Sequence, residues 1–442
     1  MRKVQPMINN PEFKRNIWLE LSVQRLIAVP VLLGLIFYVA MQNDSSGAIS
    51  YTIAKSIFVI VTILWGSQLA FSSVSDELQN RTWDNQRLSA LSPFKLVWGK
   101  LFGATAFIWY IGLFCLLMML FTAQLNIQSN QYQIIIGFIL GALITQAFAF
   151  TSALIAAKNN VAIPRGLNLL FIVVVVPIVG RMIYGSNQPT QAWYGQDLSY
   201  WGFVNLSLLI YTAWAWLASY RIMQTALQIK TKPWAMLSFV LFSAFYVLGF
   251  YNALTIGNFA SLAFVFAILL TYLGALTEKR DLASLRRCMN PWLAKTPENA
   301  LKHTPYFLIL AVFCLVALPF TSLDSTFSSF YSAKSLREGQ SFVIIGLMSL
   351  LLMMRDIGLL YYFSLSQKPQ RAVMTTIFYL ILLYVLFPLL LPRTLGFIFF
   401  PLVLAPSVGE NGVPILVGLV HCLVVAGLLY RQHLDRRKAL SA

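Results

Sequence analysis

Leu101-Phe102-Gly103-Ala104-Thr105-Ala106-Phe107-Ile108-Trp109-Tyr110-Ile111-Gly112-Leu113-Phe114-Cys115-Leu116-Leu117-Met118-Met119-Leu120-Phe121-Thr122-Ala123 is a stretch with no charged side chain. About 20 apolar residues in a helix cross a hydrocarbon core of ~30 Å. This stretch meets that length, and the rest of the chain agrees with it. Apolar residues make up 58% of the 442 residues and charged ones 11%. A soluble domain averages about 25% charged, and it could not hide this much apolar surface from water. The composition therefore excludes a soluble protein and implies a polytopic, all-α membrane protein.

Working outward from 101–123, hydropathy predicts twelve spans. The first six are 25–41, 51–73, 101–123, 132–157, 167–184 and 201–220. The second six are 234–252, 255–277, 306–323, 341–363, 373–392 and 413–430. An even number puts both termini on one side. With the N-terminus inside, 27 of the 32 Lys and Arg fall on the cytoplasmic face. The excess of basic residues in cytoplasmic loops fixes that orientation. It also accounts for the net charge of +17 without invoking nucleic acid. The expected location is the inner (plasma) membrane.

The two long cytoplasmic loops, 74–100 and 278–305, follow the second and eighth spans. These positions are equivalent if the chain is two six-span halves. The predicted organisation is an interfacial segment 1–24, a first half 25–220, a linker 221–233, a second half 234–430 and a basic tail 431–442. Paired repeats of this kind are a transporter design with the pathway at the repeat interface.

Three cytoplasmic segments carry readable patterns. Asn10 is a good N-cap and Pro11 suits the first helical position. Phe13, Ile17 and Leu21 then share one face, so 11–21 reads as an amphipathic helix lying in the membrane surface. In the first loop, Ser75 reads as the cap of a helix whose first turn holds Asp76 and Glu77. Trp83, Arg87 and Leu91 align along it and Pro93 ends it. Lys95, Trp98 and Lys100 mark re-entry into the bilayer. The second loop sets Leu282 and Leu285 beside Arg280, Arg286 and Arg287. Its basic character makes anionic lipid a competing contact. The segment 393–412 reads as a short re-entrant or interfacial stretch, and 185–200 contributes Trp193, Tyr194, Tyr200 and Trp201 as interface anchors.

Asn10-Pro11-Glu12-Phe13, the run Glu77…Arg81-Thr82-Trp83…Arg87-Leu88…Leu91-Ser92-Pro93, and Trp98-Gly99-Lys100-Leu101 together resemble permeases of the ABC-2 type over residues 10–105. The resemblance implies that the loop after the second span is a coupling helix that meets a cytosolic ATPase. Asp76, Glu77, Arg81, Thr82, Trp83, Arg87, Leu88 and Leu91 would carry that contact, joined by Arg280, Leu285 and Arg286 in the second loop. The family's usual glycine before the threonine is Arg81 here. Its members have six spans and dimerise, so twelve spans imply a fused, full-size form. Export is implied in the same way. The expected partners are two ATPase subunits and membrane lipids, with ATP and magnesium held in the partner.

No Walker A pattern occurs in the chain, and no cofactor, metal or catalytic residue is expected in it. The four cysteines (Cys115, Cys288, Cys314 and Cys422) show no zinc spacing. The rival reading is an ion-coupled secondary transporter of the major-facilitator kind, which would need a buried carboxylate. Asp356, beside Arg355 in the tenth span, is the candidate. Neighbouring side chains on a helix point about 100° apart, so the two need not pair. His421 in the last span reads as a packed histidine. A third reading is a membrane component of an envelope machine that moves no solute. The scarcity of charge deep in the spans favours an amphipathic or lipid-like substrate over a small ion.

Overall fold

The computed structural model describes residues 10–44, 46–89, 91–125, 130–159, 190–229, 234–250, 255–278, 290, 304–323, 342–366, 371–392, 398–399 and 413–441. Among them, ten helices are long and apolar enough to cross a membrane. The chain is therefore a multi-pass α-helical membrane protein. It divides into two compact units, Met1–Ala192 with Gln196–Thr231, and Trp193–Gly195 with Lys232–Ala442.

Ten of the twelve predicted spans coincide with these helices. The fifth, 167–184, lies outside the described residues. The seventh is a helix of 15 residues, Trp234–Leu248, which covers about 22 Å at 1.5 Å per residue. Its end is held by Trp193 and Tyr194. The indole Nε1 of Trp193 donates to Tyr246 O at 3.0 Å, and Tyr194 N donates to Gly249 O at 2.7 Å. Trp193 and Tyr194, expected as interface anchors, thus serve as the cap of this helix.

In the first unit, α1 (Pro11–Glu20) leads into α2 (Val23–Asn43). Asp44 then starts α3 (Ala48–Phe58). Its carboxylate accepts from Ser46 Oγ at 2.6 Å and from Ile49 N at 3.0 Å. Those donors hold its pKa below the usual carboxylate range. A π-helical turn, Val59–Trp65, joins α3 to α4 (Gly66–Gln79). The combined helix Ala48–Gln79 has 32 residues, about 48 Å, so it outruns the hydrocarbon core and its end emerges from it.

The short α5 (Trp83–Leu88) and α6 (Pro93–Gly103) follow, then α7 (Ala106–Leu125) and α8 (Gln131–Asn159). Strands β1 (Thr190–Trp193) and β2 (Gln196–Ser199) form a hairpin that an all-α expectation did not include. Tyr194 and Gly195 at its turn both have positive φ, as a two-residue hairpin turn requires. α9 (Tyr200–Ala226) follows the hairpin. Ala70, Phe71, Val74, Leu96, Ala149, Phe150 and Met223 build the core where α4, α6, α8 and α9 meet.

The second unit comprises α10 (Trp234–Leu248), α11 (Ile256–Thr277), α12 (Tyr306–Ala317) with a 3-10 extension to Leu323, and α13 (Phe342–Ser364). α14 (Ala372–Ile381) passes through a π-helical turn, Leu382–Leu386, into α15 (Phe387–Leu390), and α16 (Val413–Ser441) closes the chain. Val240, Ala263, Phe264, Ala267, Leu310, Cys314 and Met353 form its core. Apart from Ile398 and Phe399, the predicted re-entrant stretch 393–412 lies outside the described residues.

α1 packs on the protein through polar residues. Its buried residues are Glu12 and Asn16, and its most exposed are Trp18 at 82% and Leu19 at 61%. Trp18 and Leu19 point away from the protein together with Lys14 and Arg15, as a helix at a lipid surface allows, while Glu12 and Asn16 pack on α6 and the expected apolar face of Phe13, Ile17 and Leu21 is half-buried. Gly99 and Gly103 make this approach possible. A Cβ on Gly99 would lie 2.8 Å from Glu12 Cβ and 2.9 Å from Phe13 N, and one on Gly103 would lie 2.8 Å from Asn16 Cβ. Two glycines four apart let helices touch at backbone distance.

Gly103→Leu is expected to lift α1 from α6. Amide hydrogen exchange over 11–20 should then rise roughly tenfold or more, equal to ~1.4 kcal/mol of local opening, with the spans unchanged. Unaltered protection of α1 would show that the glycines do not hold it.

Candidate functional site

The end of α4 is closed by a Schellman motif. Thr82 N donates to Glu77 O at 2.8 Å and Arg81 N to Leu78 O at 3.2 Å. This motif sets its C′ residue in the left-handed region, where glycine is the usual occupant. Arg81 occupies it with φ of 57°. The motif corrects the expected course of the loop. Ser75 does not cap a new helix; it is buried in α4, and Asp76 and Glu77 lie in that helix's last turns. Pro93 does not end a helix but starts α6, with Ser92 Oγ accepting from Lys95 N at 3.4 Å.

The expected ridge of Trp83, Arg87 and Leu91 faces the protein. Trp83 is 3% exposed and sits among Val74, Leu96, Ala157 and Ala226, and Leu91 packs against the same cluster. Arg87 bonds Asp84 Oδ1 at 2.9 Å, and its Nε donates at 3.2 Å to Ala226 O, the last carbonyl of α9. The outward face is instead made by Arg81, Thr82, Asp84, Asn85 and Leu88. Leu88 is 86% exposed. A short helix is thus pinned by a buried indole while its polar edge and one leucine stay exposed. The residues expected to contact a partner divide accordingly: Arg81, Thr82 and Leu88 lie on the open face, and Trp83, Arg87 and Leu91 hold it in place. Arg280, Leu285 and Arg286 lie outside the described residues.

Beneath this tip lies a buried ion network. Lys100 is 1% exposed; its Nζ lies 2.6 Å from Glu77 Oε1 and 3.3 Å from Glu12 Oε1. Arg15 Nη2 reaches the same two carboxylates at 3.4 and 3.1 Å. Gln86 Nε2 on α5 donates to Glu77 Oε1 at 3.2 Å, and Asn16 Nδ2 on α1 donates to Gly99 O at 3.1 Å. Two acids face two bases, so the formal charge cancels. Lys100, expected at the re-entry into the bilayer, is enclosed by protein. It joins α1, α4 and α6 into one body.

A second charged centre lies within the span α13 of the second unit. Arg355 and Asp356 are 3% and 2% exposed and pair directly, Nε to Oδ1 at 2.8 Å. Asp356 Oδ2 also accepts from Tyr272 OH at 2.8 Å and from Tyr384 OH at 2.5 Å. Tyr384 sits in the π-helical turn. Such a turn carries one extra residue and re-aims its side chains. Arg355 lies 4.9 Å over the Tyr384 ring, its Nη1 donates to Phe399 O at 3.2 Å, and His421 Nδ1 is 3.4 Å from that Nη1. His421, expected to be packed, is thus packed beside the pair.

No group of His, Cys, Asp and Glu among the described residues has the arrangement of a metal site. No family model, curated protein or solved structure matches the chain.

Lys100→Met should cost about 3 kcal/mol, the scale of leaving buried charges without their partner. Neutralising Glu12 and Glu77 in the same variant should recover much of that loss. Thermal unfolding in detergent checks this, and a triple variant no more stable than the single one would contradict the network.

Proposed function

We propose that the chain is the permease of an ATP-driven transporter of the ABC-2 type, coupled to a separate cytosolic ATPase. The observation that carries the reading is the tip 81–88. Its outward face is open, its inward face is locked by Trp83 and Arg87, and the network at Lys100 ties it to α1 and α6. A docking element must deliver force without bending, and rigid supports with an exposed edge serve that purpose.

The Schellman geometry adds to the resemblance, because the position where the family has glycine is one where glycine is the preferred residue. ATP and magnesium belong to the partner. The tip meets the ATPase through Arg81, Thr82, Asp84, Asn85 and Leu88, and ATP-driven closure of two such subunits moves the spans behind it. The cargo is amphipathic or lipid-like and is exported. A second reading, an ion-coupled secondary transporter, draws on Asp356 in the interior of a span.

Two variants at the tip separate docking from folding. Leu88→Asp should lower co-purification of a Walker A-bearing subunit at least tenfold with no loss of thermal stability, since the side chain is exposed. Arg81→Gly should raise stability by about 1 kcal/mol by relieving the left-handed backbone while weakening the same contact. Extraction under mild conditions with no ATPase attached, or docking indifferent to Leu88, would overturn the reading.

A further inference from the structure

We propose that Arg355 is a receptor for an oxyanion, a carboxylate or phosphate, inside the second unit. Its place in α13 is 14 residues along a 23-residue helix, which sets it about 20 Å from one end and ~13 Å from the other. A guanidinium at that depth is costly to keep, and intramembrane charges of this kind mark ligand pathways.

The way Arg355 is bonded says what it is kept for. A guanidinium has five N–H donors. Arginine and carboxylate normally meet as two parallel bonds. Here Asp356 engages only Nε, and Nη1 is taken by Phe399 O and His421. Nη2 is buried and has no hydrogen-bond partner. Buried polar atoms are almost always satisfied, and an exception points to strain, to function or to a missing ligand. The Tyr384 ring covers one face of the guanidinium, so an added acceptor would meet Nη2 in the guanidinium plane, once the side chains enclosing it move apart.

Asp356 does not depend on Arg355 alone. Two tyrosine hydroxyls donate to its other oxygen, so the carboxylate stays solvated by the protein when the arginine's charge is shared. The donor-only, cationic edge at Nη2 calls for an acceptor that carries negative charge. A cation would be repelled, and a neutral carbonyl would bind it more weakly.

Nη2 is closed off from the surface in this conformation, as an occluded state of a transporter requires. Transport of the oxyanion rests on the transport reading above, but its binding does not need an ATPase.

The test uses the full chain, purified in a neutral maltoside detergent, with dodecyl phosphate as the probe and dodecanol as the uncharged control. Dodecyl phosphate should raise the melting temperature and bind at least tenfold tighter than dodecanol. Arg355→Gln should abolish the difference, and Arg355→Lys should keep part of it, since lysine offers charge without the planar edge. The double variant Arg355→Gln/Asp356→Asn removes both charges together and so guards against misfolding; it too should lose the preference.

Competition by inorganic phosphate identifies a free oxyanion as the ligand. Binding of dodecyl phosphate and phosphatidylglycerol without such competition identifies a lipid-like one. Equal binding of dodecyl phosphate and dodecanol, or a folded double variant that binds like the wild type, overturns the assignment. Failure of the ATPase reading would show instead in co-purification and would leave this binding unchanged.

Discussion

Lys100 is the point on which the loop end of the first unit depends. An ammonium group 1% exposed cannot remain charged without partners, because removing it from water costs several kcal/mol. Its partners, Glu12 and Glu77, come from helices distant in sequence. Satisfying the lysine therefore fixes where α1 and the end of α4 must lie. Arg15 and Gln86 then converge on the same carboxylates, and α5 is drawn onto Glu77 by Gln86. Four helices are positioned by a single requirement, that a buried cation find its anions. The glycines at 99 and 103 are the steric condition for meeting it.

The spans were legible because crossing a bilayer imposes a length and a polarity that a sequence displays directly. The loops were less so, and particular residues show why. Ser75, Asp76 and Glu77 have the composition of a helix start but lie near the end of a helix of 32 residues. A span that outruns the bilayer erases the boundary that hydropathy suggests. Pro93 fits either the end of one helix or the first turn of the next, and Ser92 decides for the second.

α1 was read as lying in the membrane surface with Phe13, Ile17 and Leu21 as its apolar face; those three are half-buried and Glu12 and Asn16 are the residues it buries. Beside a membrane, lipid takes Trp18 and Leu19 and the protein takes Glu12 and Asn16. Two signals could have revealed this: Lys100 one turn inside an apolar approach to a span, beyond Lys95 at its start, and Gly99 and Gly103 spaced to receive a second helix. Asp356 was identified as a buried charge, but Tyr272, Tyr384 and Phe399 come from far along the chain and no local pattern announces them.

The two buried charge centres are balanced differently, and the contrast bears on what each does. Around Lys100, two carboxylates meet two cations and two amide side chains join them, with Glu77 Oε2 the one carboxylate oxygen left without a hydrogen bond among the buried ones. Such an arrangement resists change, because moving any member leaves a buried charge exposed to its own desolvation cost. It suits an element that must keep its shape while transmitting force. Around Arg355, one carboxylate has three donors while the guanidinium keeps an unused edge. The acid is over-supplied and the base under-used. That asymmetry suits a group that can accept a further anion without abandoning its first partner.

Each unit also contains a π-helical turn within a span, and the two are used in different ways. In the first, the turn Val59–Trp65 is answered by Gln146, whose Nε2 donates to Thr62 O at 2.9 Å while its Oε1 accepts from Trp109 Nε1 at 3.1 Å. The inserted residue is absorbed by a side chain that satisfies the disturbed backbone, and the bundle stays closed. In the second, the turn Leu382–Leu386 directs Tyr384 onto Asp356. A hydroxyl delivered from a widened turn can be withdrawn by restoring ordinary helical winding, at the cost of one hydrogen bond to a carboxylate, about 2 kcal/mol, and of the ring's contact with Arg355. Because the same ring covers one face of Arg355, rewinding that turn would uncover the guanidinium and loosen its carboxylate together. One side chain in one helical turn thus touches both members of the pair.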